Sequence, residues 1–329
     1  MGEVGVVQSH GPVVVAIDGG GSKTDAVALT LDGRIVGRTT GPGTSPHFIG
    51  VDAAVAQIDG LVREVASGHP IAQANVYLSG LDLPSEVETF HRAIGRLDWS
   101  SDSTIVDNDL YALMRSGTSE PDAVAVVCGT GINALGQRAD GAKARFAALG
   151  TISGDWGGGT GLGEAAIWHA ARDADRRGPA TSLTAAVPEA FGLVSIADVT
   201  EGIHLGRIQY GDLARLAPLV FAHADRGDGI ARQLVEHQGT EVAIMAISCL
   251  ERLDLLGREI PVVLGGGILA NRHEVLWAAL EAELHGRAPR ARIVHVTTPP
   301  IVGAALLALE SGGAAAAAVQ TAVAEVSAR

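Results

Sequence analysis

Apolar positions follow two different patterns along the chain, and together they predict an α/β protein. Short apolar runs that end in turn residues are typical of buried strands, whereas apolar residues at intervals of three and four are typical of amphipathic helices. The predicted strands lie at 13–17, 74–81, 103–107, 123–128, 259–264 and 293–296. The predicted helices lie at 50–67, 86–97, 110–116, 165–177, 274–284 and 300–309, with further helical pattern over 182–256.

The first strand runs into Asp18 and the glycines at 19–21, and the chain then leaves the turn as a second strand. This is not a Walker-type loop, because Ser22 rather than glycine precedes Lys23 and no helix follows. A dinucleotide-binding fingerprint is excluded by the missing helix as well. Glycines in such a turn allow backbone N–H groups to approach an anion, and Asp18 could hold a metal through water. A plain glycine-rich hairpin with a capping aspartate is the alternative.

The same pattern returns about 110 residues later. The apolar strand 123–128 leads into Gly129-Thr130-Gly131 and then into an outgoing strand at 132–136. An Asp-Gly turn follows each hairpin, at 32–33 and at 140–141. A matched order of strand, glycine turn, strand and Asp-Gly favours duplication over coincidence. Two such hairpins in two lobes could hold a chain of phosphates from both sides of a cleft.

Two further stretches carry candidate ligands. Asp107 and Asp109 alternate along a strand, so they project from one face at its carboxyl end, just before a helix. Ligands of α/β proteins usually bind at that edge of the sheet, although one of the two could serve only as a helix cap. Asp155 lies in the glycine-rich stretch 149–164, which predicts either a binding loop or a mobile connector. Gly265–Gly267 at a strand-to-helix junction could face an adenosine or could serve close packing.

Length and composition limit the remaining choices. A chain of 329 residues exceeds the roughly 250–300 at which one core stops growing, so we expect two lobes. Their predicted bounds are 1–118 and 119–299, with a helix at 300–315 completing the first lobe and an alanine-rich tail that frays after Gly313. A net charge of −13 argues against nucleic acid and anionic membranes as partners. The chain has no apolar run long enough to predict a membrane span, and residues 1–11 do not resemble a signal peptide. With only two cysteines, a disulfide framework is not expected, which favours the reducing cytoplasm.

These motifs, in this order, resemble the superfamily of actin, heat-shock ATPases and sugar kinases. Within it, the chain is most similar to BadF/BadG-type ATPases and N-acetylglucosamine kinases. The resemblance covers nearly the whole chain, and it rests on five stretches in the right order rather than on any single one. They are 17–24, 107–109, 129–133 with 154–155, 265–271 and 299–304. It implies a two-lobed actin-like ATPase, a duplicated ribonuclease H-like fold with a nucleotide cleft between the lobes.

The resemblance also implies roles for individual residues. Asp18 and Asp155 would serve Mg²⁺, and Asp109 would accept the proton of a sugar hydroxyl. The implied sugar-binding residues are Ser45, His47, Asp109, Asn133, Asp155 and Trp156. The implied ATP-binding residues are Gly20, Gly21, Ser22, Lys23, Thr24, Gly129, Thr130, Gly131, Gly265, Gly266, Gly267 and Asn271. Two positions differ from the family: Trp156 stands where an acidic residue is usual, and Ser45 where eukaryotic amino-sugar kinases have Asn.

The function that this resemblance implies is ATP- and Mg²⁺-dependent phosphorylation of an amino sugar such as N-acetylglucosamine or glucosamine, at the 6-hydroxyl, by a homodimer. A kinase of another hexose is one alternative. The other is an ATPase that activates a partner redox enzyme, which is disfavoured because such activators bind an iron–sulfur cluster through cysteines and this chain has only Cys128 and Cys249.

Overall fold

The computed structural model describes residues 11–327, and the chain divides into two compact units. The first unit comprises Met1–Ser119 and Thr298–Arg329, and the second comprises Glu120–Thr297. The first ten residues, most of the segment judged unlike a signal peptide, lie outside the described range. No helix within 11–327 is both long enough and apolar enough to cross a bilayer.

The secondary structure alternates between strands and helices throughout. The strands are β1 (Val13–Gly19), β2 (Lys23–Thr30), β3 (Ile35–Pro42), β4 (Ile71–Leu78), β5 (Ile105–Asn108), β6 (Ala123–Cys128), β7 (Ile132–Gln137), β8 (Lys143–Arg145), β9 (Pro261–Gly265) and β10 (Arg292–His295). The helices are α1 (Pro46–Ile49), α2 (Val51–Ala66), α3 (Pro84–Ile94), α4 (Leu110–Gly117), α5 (Gly158–Ala174), α6 (Leu183–Ala190), α7 (Ile196–His204), α8 (Ala217–Asp225), α9 (Gly229–Arg252), α10 (Gly267–Ala270), α11 (Glu274–Arg287), α12 (Pro300–Ser311) and α13 (Ala316–Ser327). Short 3₁₀ turns occupy Gly150–Ile152 and Tyr210–Leu216.

Each unit is built on one five-stranded sheet, and the two sheets have the same topology. The strand order is β3-β2-β1-β4-β5 in the first unit and β10-β9-β6-β7-β8 in the second. In each, an antiparallel three-stranded meander comes first along the chain, and two further strands then join parallel to its first strand. The duplication predicted from the two glycine hairpins therefore extends to both whole sheets.

The core of the first unit has two layers, one on each face of its sheet. Helices α2 and α3 cover one face, where Ile58, Val62 and Phe90 pack on the strands. Helix α12 covers the other face, and its apolar side chains are buried among those of β1 and β2. The second unit has one large apolar cluster, in which α5, α9 and α11 take part.

The alanine-rich tail, which the sequence predicts to fray, instead forms helix α13. Its Ala318, Ala322 and Val326 are buried, and Ala322 and Val326 belong to the same apolar cluster as α12. Arg38 of β3 donates from Nη1 to the Val326 carbonyl oxygen at 2.9 Å. Small side chains spaced at helical intervals allow this helix to approach the unit closely, which composition alone did not indicate.

Helix α5 also differs from the prediction, because it begins at Gly158 rather than at 165. The glycines at 158, 159, 161 and 163 were assigned to a loop for their low helix propensity. They are helical because other segments lie against them: a Cβ on Gly163 would be 2.2 Å from the Leu213 carbonyl oxygen, and one on Gly158 would be 2.5 Å from the Gly131 backbone. Close packing here outweighs intrinsic propensity.

Candidate active site

The glycine turn between β1 and β2 forms the first candidate phosphate site. Gly19 and Thr24 are the last register partners of the hairpin, and the turn is closed by the Gly20 N–H, which donates to the Lys23 carbonyl oxygen at 2.8 Å. Gly21, Ser22 and Lys23 are exposed at the tip, and Gly20 is partly exposed. The backbone of this tip is therefore accessible to an anionic ligand.

The side chains of Thr24 and Lys23 have different partners. The Thr24 side chain is fully buried and shares a 2.8 Å hydrogen bond with the Thr44 hydroxyl, which ties the turn to the following loop. Lys23 Nζ instead donates to Asp25 Oδ2 at 2.6 Å. Lys23, although expected at the nucleotide, is thus engaged by a neighbouring carboxylate that also accepts from Thr40.

The loop with the predicted sugar-binding residues Ser45 and His47 packs against the same turn. The Thr44 N–H donates to the Gly20 carbonyl oxygen at 3.1 Å. Gly80, which follows β4, lies beneath both side chains, since a Cβ there would be 2.8 Å from Ser45 Oγ and 3.1 Å from the His47 ring. Ser45 is buried and His47 is exposed, so the loop places one polar side chain inside and one at the surface.

Asp18 and Asp109 lie at the carboxyl ends of β1 and β5, with β4 between them. In register, Asp18 aligns through Tyr77 with Asp107, and Asp109 follows two residues later, directly after β5. The pKa of Asp18 is raised to about 8, first by burial and then by the negative charges of Asp109 and Asp25. Burial, followed by the charge of Asp82, raises the pKa of Asp109 to about 7. The structure therefore gathers carboxylates whose ionised forms are costly without a cation or a proton.

Asp107 has a different environment from its neighbour. Its Oδ1 accepts the Asn108 N–H at 2.8 Å, a local backbone contact. Asp109 occupies the position before α4 without capping the helix through its side chain. The charge of Asp109 acts on Asp18, and the choice of Asp109 rather than Asp107 as the base stays a prediction.

Asp82 and Glu86 belong to this group and were missed by sequence reasoning. Asn108 donates from Nδ2 to Asp82 Oδ1 at 2.9 Å, and Glu86 Oε2 accepts the backbone N–H groups of Asp82 and Leu83. Glu86 Oε1 lies 2.8 Å from His47 Nε2. The available signal was Pro84 at a helix start with Glu86 two residues later, a pattern typical of capped first turns.

His47, Asp82 and Glu86 are the group of potential metal ligands found within 11–327: their donor atoms all lie within 4.8 Å of one another. The donors are one imidazole and two carboxylates. Several of them already accept or donate hydrogen bonds inside the group, as described above. The two residues expected to serve Mg²⁺, Asp18 and Asp155, are not part of it.

The second glycine turn, in the second unit, is held by the start of α5. Gly129 N–H donates to the Gly131 carbonyl oxygen at 2.9 Å, and Thr130 and Gly131 are exposed. The Gly159 N–H donates to the Gly129 carbonyl oxygen at 2.7 Å, and the Thr160 N–H to that of Thr130 at 2.9 Å. These bonds occupy the turn's carbonyl groups and leave its exposed backbone facing outward.

The glycines at the end of β9 and directly after it lie close to the same turn. Gly266 has a φ of +100°, and a Cβ there would be 2.3 Å from the Cys128 carbonyl oxygen. Gly267 begins α10 and is exposed, Gly265 is buried, and Asn271 is exposed at the C-terminal end of that short helix. The two glycine segments of the second unit, predicted for phosphates and adenosine, are therefore direct neighbours.

Asp155 and Trp156 lie between the 3₁₀ turn at Gly150–Ile152 and α5. Asp155 is 7% exposed and accepts from Ser153 Oγ at 2.5 Å. The Trp156 ring lies 4.4 Å from the His237 ring on α9. Burial raises the pKa of Glu241, one turn further along α9, and the charge of Asp155 raises it as well. Asn133, on β7, is partly buried, and its Oδ1 accepts the Ala134 N–H at 2.7 Å.

Comparison with known proteins decides the family. Residues 15–308 match the model of the BadF/BadG/BcrA/BcrD ATPase family. The chain belongs to this family. It is 30% identical over 314 residues to an N-acetyl-D-glucosamine kinase of Dictyostelium discoideum, an alignment that covers 91% of this chain and 98% of the relative. An N-acetylmuramic acid/N-acetylglucosamine kinase of Clostridium acetobutylicum is 24% identical over 303 residues, covering 90% and 97%.

Comparison with solved structures agrees with this family assignment. A crystal structure of a candidate N-acetylglucosamine kinase from Chromobacterium violaceum superposes with a TM-score of 0.71 at 24% identity, covering 91% of this chain and 99% of that one. This likeness, with the two equivalent sheets, confirms the predicted duplicated, actin-like ATPase fold. The BadF/BadG resemblance drawn from the motifs is also confirmed.

Proposed function

We propose that this BadF/BadG-family ATPase is an amino-sugar kinase that transfers the γ-phosphoryl group of ATP to a hydroxyl, the 6-hydroxyl, of N-acetylglucosamine. The observation that carries the proposal is that Asp18 and Asp109 lie at the carboxyl ends of two strands of one sheet, beside the first glycine turn, and that the charge of Asp109 acts on Asp18. Curated relatives that span nearly the whole chain are amino-sugar kinases, which supports the substrate class.

Asp109 is assigned as the residue that accepts the hydroxyl proton. Phosphoryl transfer proceeds through a loose transition state, so a base needs only to orient the hydroxyl and take its proton late. A carboxyl with a pKa of about 7 can accept and release a proton near neutral pH, which suits this role. Alignment of hydroxyl and phosphate supplies much of the remaining acceleration.

Asp18 is assigned to Mg²⁺. The donor chemistry fits, because carboxylate oxygens suit this cation and the charge of the partly buried Asp18 carboxylate would be stabilised by it. Mg²⁺ would neutralise charge on the phosphates during transfer. The ATP phosphates are assigned to 20–24 and Gly129–Gly131, and the adenosine to Gly265–Gly267 and Asn271. Asp155 is assigned to the sugar or, through water, to the metal.

The sugar is assigned to Ser45, His47, Asn133, Asp155 and Trp156. Glu86 holds His47 by one ring nitrogen, which leaves the other for a sugar hydroxyl. Trp156 offers an apolar ring of the kind that packs against a sugar face. We also propose that the protein is a cytoplasmic homodimer. Light scattering of the purified protein tests the dimer.

A redox-activating ATPase is the weaker alternative. Cys128 and Cys249 are both buried free thiols, and burial raises the pKa of each to about 12. Thiolate is the form that binds iron, so neither cysteine suits a cluster shared with a partner.

An ADP-release assay tests the proposal. Purified protein with ATP and Mg²⁺ is given N-acetylglucosamine, N-acetylmuramic acid, glucosamine, N-acetylmannosamine or glucose, and products are mapped by NMR. We expect N-acetylglucosamine to give the highest kcat/KM and a 6-phosphate. ADP release that no sugar stimulates would contradict the kinase function; preference for glucose would contradict only the amino-sugar assignment.

A further inference from the structure

Gln238 stands out among the polar side chains of the second unit. It is 0% exposed, on the inner face of α9, and neither its Oε1 nor its Nε2 has a hydrogen-bond partner among residues 11–327. Asn75, also 0% exposed, instead donates to Tyr77 and accepts from Gln73. Burying an amide without partners is unfavourable, because its bonds to water are lost and not replaced.

The Gln238 amide lies directly against the segment that carries Asp155 and Trp156. A Cβ on Gly157 would be 2.5 Å from Gln238 Nε2 and 2.9 Å from Oε1. His237, the preceding residue on α9, contacts the Trp156 ring. The amide therefore faces backbone, which offers both a donor and an acceptor, at the junction between the acceptor-site residues and α5.

That segment can rotate at two points. Gly154 and Gly157 flank the Asp155–Trp156 pair, and both have positive φ, at +83° and +134°. Glycine crosses this region of backbone space at little cost, so small rotations at both would move the pair together. Such a movement must also displace the hydrogen bonds that the Gly154 and Asp155 N–H groups donate to the carbonyl oxygens of Thr151 and Gly150, at 3.3 and 3.1 Å. Beyond Gly157 the chain is fixed, because the first N–H groups of α5 bind the second glycine turn.

We propose that Gln238 is a positioning residue for the acceptor sugar: when sugar binds, the 154–157 segment turns and its backbone pairs with the Gln238 amide. This rests on the amino-sugar kinase function proposed above. In the free protein the unpaired amide lowers stability. In the complex it forms the bonds that hold Asp155 and Trp156 against the sugar, so its contribution appears only with acceptor bound.

The test is Gln238→Met, which keeps the length and removes the amide. Gln233→Met, on the exposed face of the same helix, is the matched control. We expect Gln238→Met to raise the Tm of the free protein by about 2 °C or more, since it removes an unpaired buried group. We expect kcat/KM for the sugar to fall at least tenfold, with KM for ATP within twofold and Gln233→Met unchanged in all three.

Hydrogen exchange gives a readout that needs no turnover. In the wild type, N-acetylglucosamine should slow exchange at 154–157, and in Gln238→Met this protection should be lost. Sugar kcat/KM within twofold of wild type, or a lower Tm, would overturn the inference, because the amide would then be structural. If the wild type phosphorylates no sugar, the proposed function fails on its own evidence, separately from the variants.

Discussion

At the scale of single residues, two aspartates of the first unit share one local environment. Asp18 is the penultimate residue of β1 and Asp109 directly follows β5 of the same sheet, and burial is the largest cause that raises both pKa values into the range of neutral pH. Neighbouring carboxylates contribute to both shifts, Asp109 acting on Asp18 and Asp82 on Asp109. Strongly shifted pKa values in buried carboxylates are common at functional sites. These two residues are therefore the first to substitute.

Asp109→Asn should lower kcat by about 10²–10⁴-fold, because the amide cannot accept the hydroxyl proton. The Kd for MgATP should change little. Steady-state kinetics and calorimetry measure the two quantities. Asp107→Asn is the control, since that carboxylate has no role in the proposed reaction and lies two residues before Asp109, on β5. Near-normal turnover of Asp109→Asn would remove it as the base.

The pH dependence of kcat/KM should report Asp109. A base must be ionised to act, and the raised pKa of about 7 means that the carboxyl is protonated below neutral pH. At saturating Mg²⁺, which favours the ionised form of Asp18, activity should therefore be full above about pH 8 and fall about tenfold per unit below about pH 6. A profile that stays flat from pH 5 to 8 would show that no group with this pKa limits the reaction.

At the scale of elements, the start of α5 acts as a clamp on the second glycine turn. Two of its backbone N–H groups bind carbonyl oxygens of Gly129 and Thr130. Gly158 makes the approach possible, since it has a φ of +70° and a Cβ there would be 2.5 Å from the Gly131 backbone. Helix and turn thus form one rigid unit, and the shape of the turn depends on residues about 30 positions later in the chain.

Gly158→Ala should raise KM for ATP at least about tenfold, because the new methyl group would collide with the Gly131 backbone and displace the turn. Gly150→Ala is the matched control: its φ is +73°, but nothing lies within 4 Å of the added Cβ. Both variants carry the cost of a left-handed alanine, roughly 1–2 kcal/mol. Equal KM values for ATP in the two variants would show that the collision is harmless.

Helix α13 contributes to the apolar core of the first unit, so a charge on its inner face should lower the free energy of unfolding. Val326→Asp, at a site that is 1% exposed, should lower the free energy of unfolding by at least about 2 kcal/mol, because the carboxylate loses its hydration. Val323→Asp, at a site that is 42% exposed, should change it by less than about 0.5 kcal/mol. Urea denaturation measures both. Equal stabilities would mean that α13 does not pack in solution.

At the scale of the whole molecule, each unit has its own apolar core. Every residue of the large cluster of the second unit lies within Glu120–Thr297. The first unit is discontinuous, and one of its two core layers depends on α12, which returns after the second unit. The second unit is therefore inserted into the first along the chain.

A fragment of residues 120–297 should fold alone and melt cooperatively, since its core is complete. A fragment of residues 1–119 should be unfolded or aggregated, because the sheet face under α12 would be exposed to water. Circular dichroism and calorimetry test both, and coexpression with 298–329 should restore solubility to the second. A stable, monomeric 1–119 fragment would contradict this division of the core.

Much of the fold could be predicted because its signals are local. The apolar runs and the repeated glycine hairpins indicated strands, and their order indicated a duplicated fold that the sheets and the family match confirm. The errors have a shared cause. Helix α5 begins earlier and α13 is ordered because tertiary contacts override the propensities of glycine-rich and tail segments.

The sequence by itself determined the family, the two hairpins and the candidate aspartates, because motif order and strand periodicity are properties of the chain alone. Only the tertiary structure decided which carboxylates meet, since Asp82 and Glu86 approach Asp109 and His47 through folding rather than spacing. It alone revealed Gln238, 81 residues after Gly157, because burial without a hydrogen-bond partner is a relation between distant segments.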